Sequence, residues 1–338
     1  MNKLKIAFVN DTFVQGRGAD TVIYELAKRL GKNNEVYVIA SEISGFKEEN
    51  FNFIKVELGK LFKGNLSDFG YFSKLKKFEE QIIELQKKYR FDVFSVHHIG
   101  LGPVMNKFKT IYTWHGSPPT KNIFRKMISF YFKKKVKNQD IIFISKYMES
   151  QFGAKGYVIR NGLSKEFKPS KEDENFMLYV GRLEKHKNLT DLIKLSRIIR
   201  FKLKIVGYGP EEQFLKERAK GAPVEFMGRI DRKKLIKLYQ RCSFFVSASK
   251  WEGFGLIFIE AAACGKPSIA YNLGAIPEVI INKKTGFLVK NFKDFVSKSK
   301  ILKENLIIRK GMGKKALEFS KVFNWDKTSK YYLDVLKK

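Results

Sequence analysis

Apolar positions along the chain fall into short blocks separated by polar, glycine-containing turns. Leu4-Lys5-Ile6-Ala7-Phe8-Val9 reads as a buried strand, and Val22, Ile23, Leu26, Ala27 and Leu30 mark one face of a helix. Gly31 sits where that helix should end, and Val36-Tyr37-Val38-Ile39-Ala40 is the next strand. This β-α-β opening predicts a parallel sheet covered by helices. The spacing adds strands over residues 51–56, 92–96, 110–113, 140–144 and 157–159, a helix over 72–89, and a loop over 10–18. A polar stretch from Asn161-Gly162 to Glu174 is the best linker in the chain. Beyond it a second series alternates strands at 176–181, 202–206, 224–227, 244–247 and 268–271 with helices at 189–199, 211–220, 231–241 and 256–264. Two such halves predict an α/β protein of two doubly wound, Rossmann-like domains facing across a cleft, with ligands beyond the carboxyl ends of the strands.

Composition narrows the classes. A chain of 338 residues suits two domains, each with its own core. A hydrophobic fraction of 44%, with 31 Phe, excludes a disordered chain. No apolar run approaches the roughly 20 residues that cross a bilayer. The N-terminus runs straight into a strand pattern and does not read as a secretory signal. Cys242 and Cys264 are the two cysteines and form no Cys-x-x-Cys, which excludes a disulfide scaffold and a cysteine zinc site and points to a cytoplasmic setting. The formal charge is +32, from 66 Lys and Arg against 34 Asp and Glu. Lys dominates over Arg and is spread along the chain, unlike the Arg-rich surfaces that read bases, so nucleic acid is a poor candidate partner. The densest basic segment is 121–137, where Lys121, Arg125, Lys126, Lys133, Lys134, Lys135 and Lys137 alternate with Ile123, Phe124, Met127, Ile128, Phe130, Tyr131 and Phe132. Basic and apolar residues at helical spacing suit a helix lying on an anionic membrane; the plainer alternative is a helix whose Phe and Ile face a core.

Two motifs carry the candidate chemistry. In Lys250-Trp251-Glu252-Gly253-Phe254-Gly255-Leu256-Ile257-Phe258-Ile259-Glu260, one carboxylate lies in a Gly-rich loop and the second in the helix that follows. Gly253 and Gly255 allow close backbone approach, and the helix start at Gly255 and Leu256 can bind a phosphate. Glu252 and Glu260 can accept hydrogen bonds from hydroxyls on either side of that phosphate. In Val180-Gly181-Arg182-Leu183-Glu184-Lys185-His186-Lys187, Arg182 and Lys187 can converge on phosphates, one as a planar fork and one as a point charge.

These two motifs, in this order and spacing, resemble those of retaining glycosyltransferases of family 4, which have the GT-B fold. Further similarity lies in Arg160-Asn161-Gly162, Gly207-Tyr208-Gly209-Pro210-Glu211, Met227-Gly228-Arg229, Gly274-Ala275-Ile276-Pro277-Glu278 and Thr285-Gly286-Phe287. The resemblance implies that Arg182 and Lys187 bind the donor diphosphate and stabilise the leaving group, so that no metal or other cofactor is needed. It implies that Glu260 holds the ribose, and that Glu252 and the backbone near Gly253, Phe254, Gly255 and Leu256 hold the transferred sugar. Arg229 follows the strand that meets the base. Thr113-Trp114-His115-Gly116 resembles the family's strand-end His motif and places His115 at the reacting centre. His97 and His98 also follow a strand but are weaker candidates. In the N-terminal loop Gly18 keeps a glycine of the family's pattern near the donor phosphate, whereas Arg17 replaces another, and Gly16 supplies flexibility. The implied domains are 1–163 with a returning helix at 323–338, which bind the acceptor, and 164–322, which bind the nucleotide sugar.

The resulting expectation is transfer of a hexose, from UDP in preference to GDP, onto an acceptor hydroxyl. That acceptor would be a lipid-linked glycan or another surface-polysaccharide precursor, with the enzyme peripheral at the inner membrane face. Arg17, Arg125, Lys126, Lys133 and Lys134 are the candidate acceptor or membrane contacts. Rival readings are a GT-B protein with epimerase or phosphorylase chemistry, a basic nucleic-acid binder, and a nicotinamide dehydrogenase. The last lacks a complete Gly-x-Gly-x-x-Gly.

Overall fold

The computed structural model describes residues 3–15, 17–47, 49–57, 70–116 and 123–338, with the backbone alone at 70–73, 123–125 and 128. Gly16, Lys121 and the side chain of Arg125 therefore lie outside the described residues. The chain divides into two compact units, Met1–Asn161 with Trp325–Lys338, and Gly162–Asn324.

In the first unit the elements run β1 (Lys5–Val9), β2 (Thr12–Val14), α1 (Gly18–Leu30), β3 (Glu35–Ala40), β4 (Glu42–Ser44), β5 (Asn52–Lys55), α2 (Gly70–Tyr89), β6 (Val93–Val96), α3 (Gly102–Met105), β7 (Thr110–Trp114), α4 (Ile123–Val136), β8 (Asp140–Phe143), α5 (Lys146–Phe152) and β9 (Tyr157–Val158). Seven strands form one parallel sheet in the order β5-β3-β1-β6-β7-β8-β9. Its central strands are buried on both faces, which is why they read as unbroken apolar runs. The expected loop at 10–18 contains β2, a three-residue strand that pairs with β4 in a small separate sheet.

The second unit runs β10 (Phe176–Val180), α6 (Leu189–Ile199), β11 (Lys202–Val206), α7 (Glu212–Ala219), β12 (Val224–Gly228), α8 (Arg232–Arg241), β13 (Phe244–Ser247), α9 (Leu256–Ala263), β14 (Ser268–Tyr271), β15 (Gly286–Val289), α10 (Phe292–Glu304) and α11 (Leu306–Ser320). Its six strands are parallel in the order β12-β11-β10-β13-β14-β15. The final helix, α12 (Trp325–Leu336), belongs to the first unit. There it buries Trp325, Tyr332, Val335 and Leu336 in the core that also holds Val22, Ile23 and Leu26 of α1, and Arg29 reaches Asp326 at 3.0 Å.

Both sheets are doubly wound, and in each the strand order reverses once. The switch falls between β1 and β6 in the first unit and between β10 and β13 in the second. Loops diverging at such a switch leave a crevice beyond the strand ends, the usual ligand position in these sheets.

Candidate functional site

In the second unit the two motifs leave the two strands that flank the switch. After β10 the chain forms a 3-10 turn, Lys185–Lys187, and after β13 it enters the loop 248–255. A backbone bond from Lys250 N to His186 O, 2.9 Å, joins these loops. Lys187 Nζ then meets Glu252 Oε1 at 2.7 Å, with side chains only 15% and 10% exposed. The Glu252 carbonyl accepts from Ala275 N at 3.0 Å. Gly274, at φ +61°, passes so close that a Cβ there would lie 2.7 Å from that carbonyl oxygen. The Gly-Ala-Ile-Pro-Glu motif thus fixes the backbone that carries Glu252.

Arg182 is more exposed and is held by Glu184, Nε to Oε1 2.8 Å, while Glu184 also faces His186 Nδ1 at 3.3 Å. Gly255 caps α9 in the left-handed region at φ +93°, so the first amide groups of that helix stay free of a side-chain cap. Phe254 is buried with its ring edge toward Phe323. Glu260, one turn into α9, accepts a hydrogen bond from Tyr239 Oη at 2.9 Å. Burial raises its pKa from 4.5 to about 7, against the pull of the Arg232 charge and the Tyr239 hydroxyl. A carboxyl raised in the fold contributes stability fully below its unfolded value, and that contribution is lost as pH climbs through about 7. Glu260 is therefore poised to gain charge near neutrality. Arg229 is exposed, its guanidinium 5.9 Å from the Tyr208 ring.

In the first unit the loop after β1 is organised by Asp20, which the sequence pattern did not single out. Its carboxylate accepts from Val14 N at 2.7 Å, Asn10 Nδ2 at 2.9 Å and Thr12 Oγ1 at 3.2 Å. Burial raises the Asp20 pKa to about 6. Arg17 turns back to donate from Nη1 to Thr12 Oγ1 at 2.8 Å. Gly18 opens α1, and a Cβ there would meet nothing within 4 Å, so packing alone does not require glycine. Across the sheet switch, His97 follows β6, and His115 follows β7. Their rings stack with centroids 5.1 Å apart, and His97 Nδ1 lies 2.8 Å from His115 Nε2. Burial lowers the pKa of His115 to about 4, and burial together with the neighbouring ring holds that of His97 well below the usual imidazole value, so both rings are neutral near pH 7. The structure thus joins His97, the weaker candidate, to His115, the stronger one.

On α4, Phe132 and Val136 face the interior, while Met127, Phe130 and Tyr131 are exposed by 64%, 71% and 41%. Lys126 and Lys134 are exposed beside them. Lys133 differs: its Nζ donates to Gln151 O at 2.8 Å and lies over the Trp114 and Phe152 rings. Among the described residues no helix is long and apolar enough to cross a membrane, and no three His, Cys, Asp or Glu side chains gather as a metal-binding group.

Comparison with known proteins agrees with this architecture. Residues 16–167 match the sequence profile of Glycosyltransferase Family 4, and residues 162–319 match that of Glycosyl transferases group 1. An uncharacterised glycosyltransferase of Methanocaldococcus jannaschii is 34% identical over 230 residues, 64% of this chain and 65% of that protein. A second from the same organism is 25% identical over all of this chain and 99% of its own length. Among solved structures, a sucrose-phosphate synthase from Thermosynechococcus elongatus superposes with a TM-score of 0.85 at 19% identity, covering 99% of this chain and 98% of that one. HepE from Anabaena, crystallised with UDP-glucose, does so with 0.82 at 18% identity over 99% of each chain. With two switch-point sheets, matching profiles over both halves and these structural neighbours, the chain belongs to the family 4 glycosyltransferases and has the GT-B fold.

Proposed function

We propose that the protein transfers a hexose from a nucleoside diphosphate sugar to an acceptor hydroxyl with retention of the anomeric configuration. The observation that carries this reading is the Lys187–Glu252 pair at the sheet switch, beside the uncapped start of α9 and one turn before Glu260. A diphosphate has its natural contacts in Lys187, Arg182 and the α9 amides. The ribose diol has Glu260, and the base has the backbone near Arg229. The sugar hydroxyls have Glu252 and the amides of Gly253 to Leu256, with His115 toward the reacting carbon. As the bond from the anomeric carbon to the phosphate oxygen breaks, charge builds on the diphosphate, and fixed cations stabilise that charge most. The acceptor oxygen bonds to the anomeric carbon from the same face, and its proton passes to the departing phosphate. We read Lys187 and Arg182 as doing this without a metal. UDP is the favoured carrier, supported by the UDP-glucose complex of HepE.

A thermal-shift panel of UDP, GDP and ADP, each with and without chelator, tests the donor site. A diphosphate at 100 times its Kd should add about 2.7 kcal/mol of stability. The expected outcome is a shift with UDP that chelator leaves unchanged. A shift with no diphosphate would sink the donor-site reading, and one abolished by chelator would sink the metal-free form of it.

The acceptor is lipid-linked in this reading, because α4 presents Met127 and Phe130 to solvent amid Lys126 and Lys134. An interior role for the helix accounts for Phe132 and Val136 but not for those two. In flotation, the protein should rise with anionic vesicles, release with salt, and fail to rise when Met127 and Phe130 are both changed to Ser. Equal flotation by that variant would contradict the membrane reading.

A further inference from the structure

His97 ends in a buried cluster that includes the last helix of the chain. Ser95, Thr113 and Tyr332 are at most 2% exposed and His97 is 6% exposed. Thr113 Oγ1 lies 2.5 Å from Tyr332 Oη, and Tyr332 Oη lies 2.6 Å from Ser95 Oγ. His97 Nε2 lies 3.2 Å from both Ser95 Oγ and Tyr332 Oη, and His97 Nδ1 continues to His115 Nε2. Among the described residues these are the side-chain partners of all five groups.

Counting hydrogens fixes the tautomer of His97. Three hydroxyls carry three hydrogens, and each needs an acceptor in this buried cluster. If His97 carried its proton on Nε2, that proton would fill the only nitrogen acceptor and leave one hydroxyl hydrogen stranded. With Nε2 unprotonated, every hydrogen is placed: Thr113 donates to Tyr332, and either Tyr332 donates to Ser95 and Ser95 to His97 Nε2, or Ser95 donates to Tyr332 and Tyr332 to His97 Nε2. His97 then carries its proton on Nδ1 and donates it to His115 Nε2. A neutral His115 must in turn carry its own proton on Nδ1, the ring nitrogen with no partner among the described residues.

We propose that His97, Ser95, Thr113 and Tyr332 are positioning residues that hold His115 in the Nδ1–H tautomer, so that it offers a fixed, uncharged N–H donor to a hydroxyl oxygen of the transferred sugar. This rests on the reading that His115 faces that sugar. Sequence spacing could not reveal the relay, since Tyr332 stands 235 residues from His97. The neutrality that burial imposes on both rings fits a donor that orients without adding charge.

The test is nitrogen-15 NMR of the full chain labelled at histidine, which has four such residues. The His115 signals are assigned by their loss in His115→Asn. The expected spectrum at pH 7 has Nδ1 of His115 protonated and Nε2 bare; the reverse, or an average of both, overturns the proposal. Tyr332→Phe and Ser95→Ala singly should each keep the tautomer, because the other hydroxyl still donates to His97. The double variant should lose it and slow nucleotide-sugar hydrolysis about tenfold, with the donor KM unchanged. Retention of both tautomer and rate in the double variant would also overturn the relay, and if that variant does not fold, the wild-type spectrum still decides. An unchanged rate in His115→Asn would instead sink the sugar-facing reading and the use of the relay in transfer, while the spectrum reports separately whether the tautomer is held.

Discussion

Lys187→Ala should lower kcat/KM for donor turnover by about 10²–10³, equivalent to about 2.7–4 kcal/mol, as loss of one fixed stabiliser of developing charge usually does. The fall should appear mainly in kcat, because the charge that Lys187 meets grows as the sugar–phosphate bond breaks. The same change leaves Glu252 largely buried without its partner at 2.7 Å. Removing one member of a fully buried pair costs about 3–5 kcal/mol, and this pair, which keeps some solvent contact, should cost less. The double variant Lys187→Ala, Glu252→Ala should regain stability without regaining turnover. Recovery of turnover in that double variant would mean that the single change acted by stranding Glu252, and Lys187 would lose its assigned role. Steady-state kinetics and thermal melts on Lys187→Ala, Glu252→Ala and the double variant separate the two effects.

Gly207→Ala should unfold the second unit at markedly lower temperature. Gly207 lies at φ +136°, and an added Cβ would fall 1.9 Å from the Gly181 carbonyl oxygen. Neither partner can give way cheaply, because Gly181 N bonds to Val206 O at 3.0 Å and Gly207 N to Gly228 O at 2.9 Å. These bonds tie together the ends of β10, β11 and β12, the platform from which Arg182 and Lys187 leave the sheet. Backbone strain of this kind costs about 1–3 kcal/mol before the clash is added. A loss near 3 kcal/mol lowers the Tm of a unit of this size by about 6–12 °C. Gly221→Ala is the control: its φ of +73° is also strained, but a Cβ there meets nothing within 4 Å. Its melt should move less. Equal shifts for the two would show that close approach at Gly207 is unimportant.

The buried parallel strands were the most legible part of the chain, because burial on both faces leaves an apolar run that a turn must end. The spans at 202–206, 244–247 and 268–271 coincide with β11, β13 and β14. The three-residue strands β2 and β4 carry no such signal, since one turn-rich stretch can pair with another only once the fold brings them together. The same limit governs the candidate site. Lys187 and Glu252 each stood out within a local motif, but their ion pair spans 65 residues and exists because β10 lies beside β13. Tyr239 on Glu260, Asp20 under the first loop and Tyr332 behind His97 are single residues without local pattern. Exposure on α4 was also illegible: basic and apolar residues at helical spacing do not say which side faces inward, and the structure turns Lys133 in while leaving Phe130 out.

The most direct test of retaining transfer needs no knowledge of the acceptor. The protein is supplied with the α-linked nucleotide sugar whose diphosphate stabilises it, and slow transfer to water is followed by proton NMR before the free sugar can mutarotate. The account predicts that the first sugar released is the α anomer, with loss of the signal in Lys187→Ala. First release of the β anomer would contradict retention, and with it the same-face attack assigned to this site.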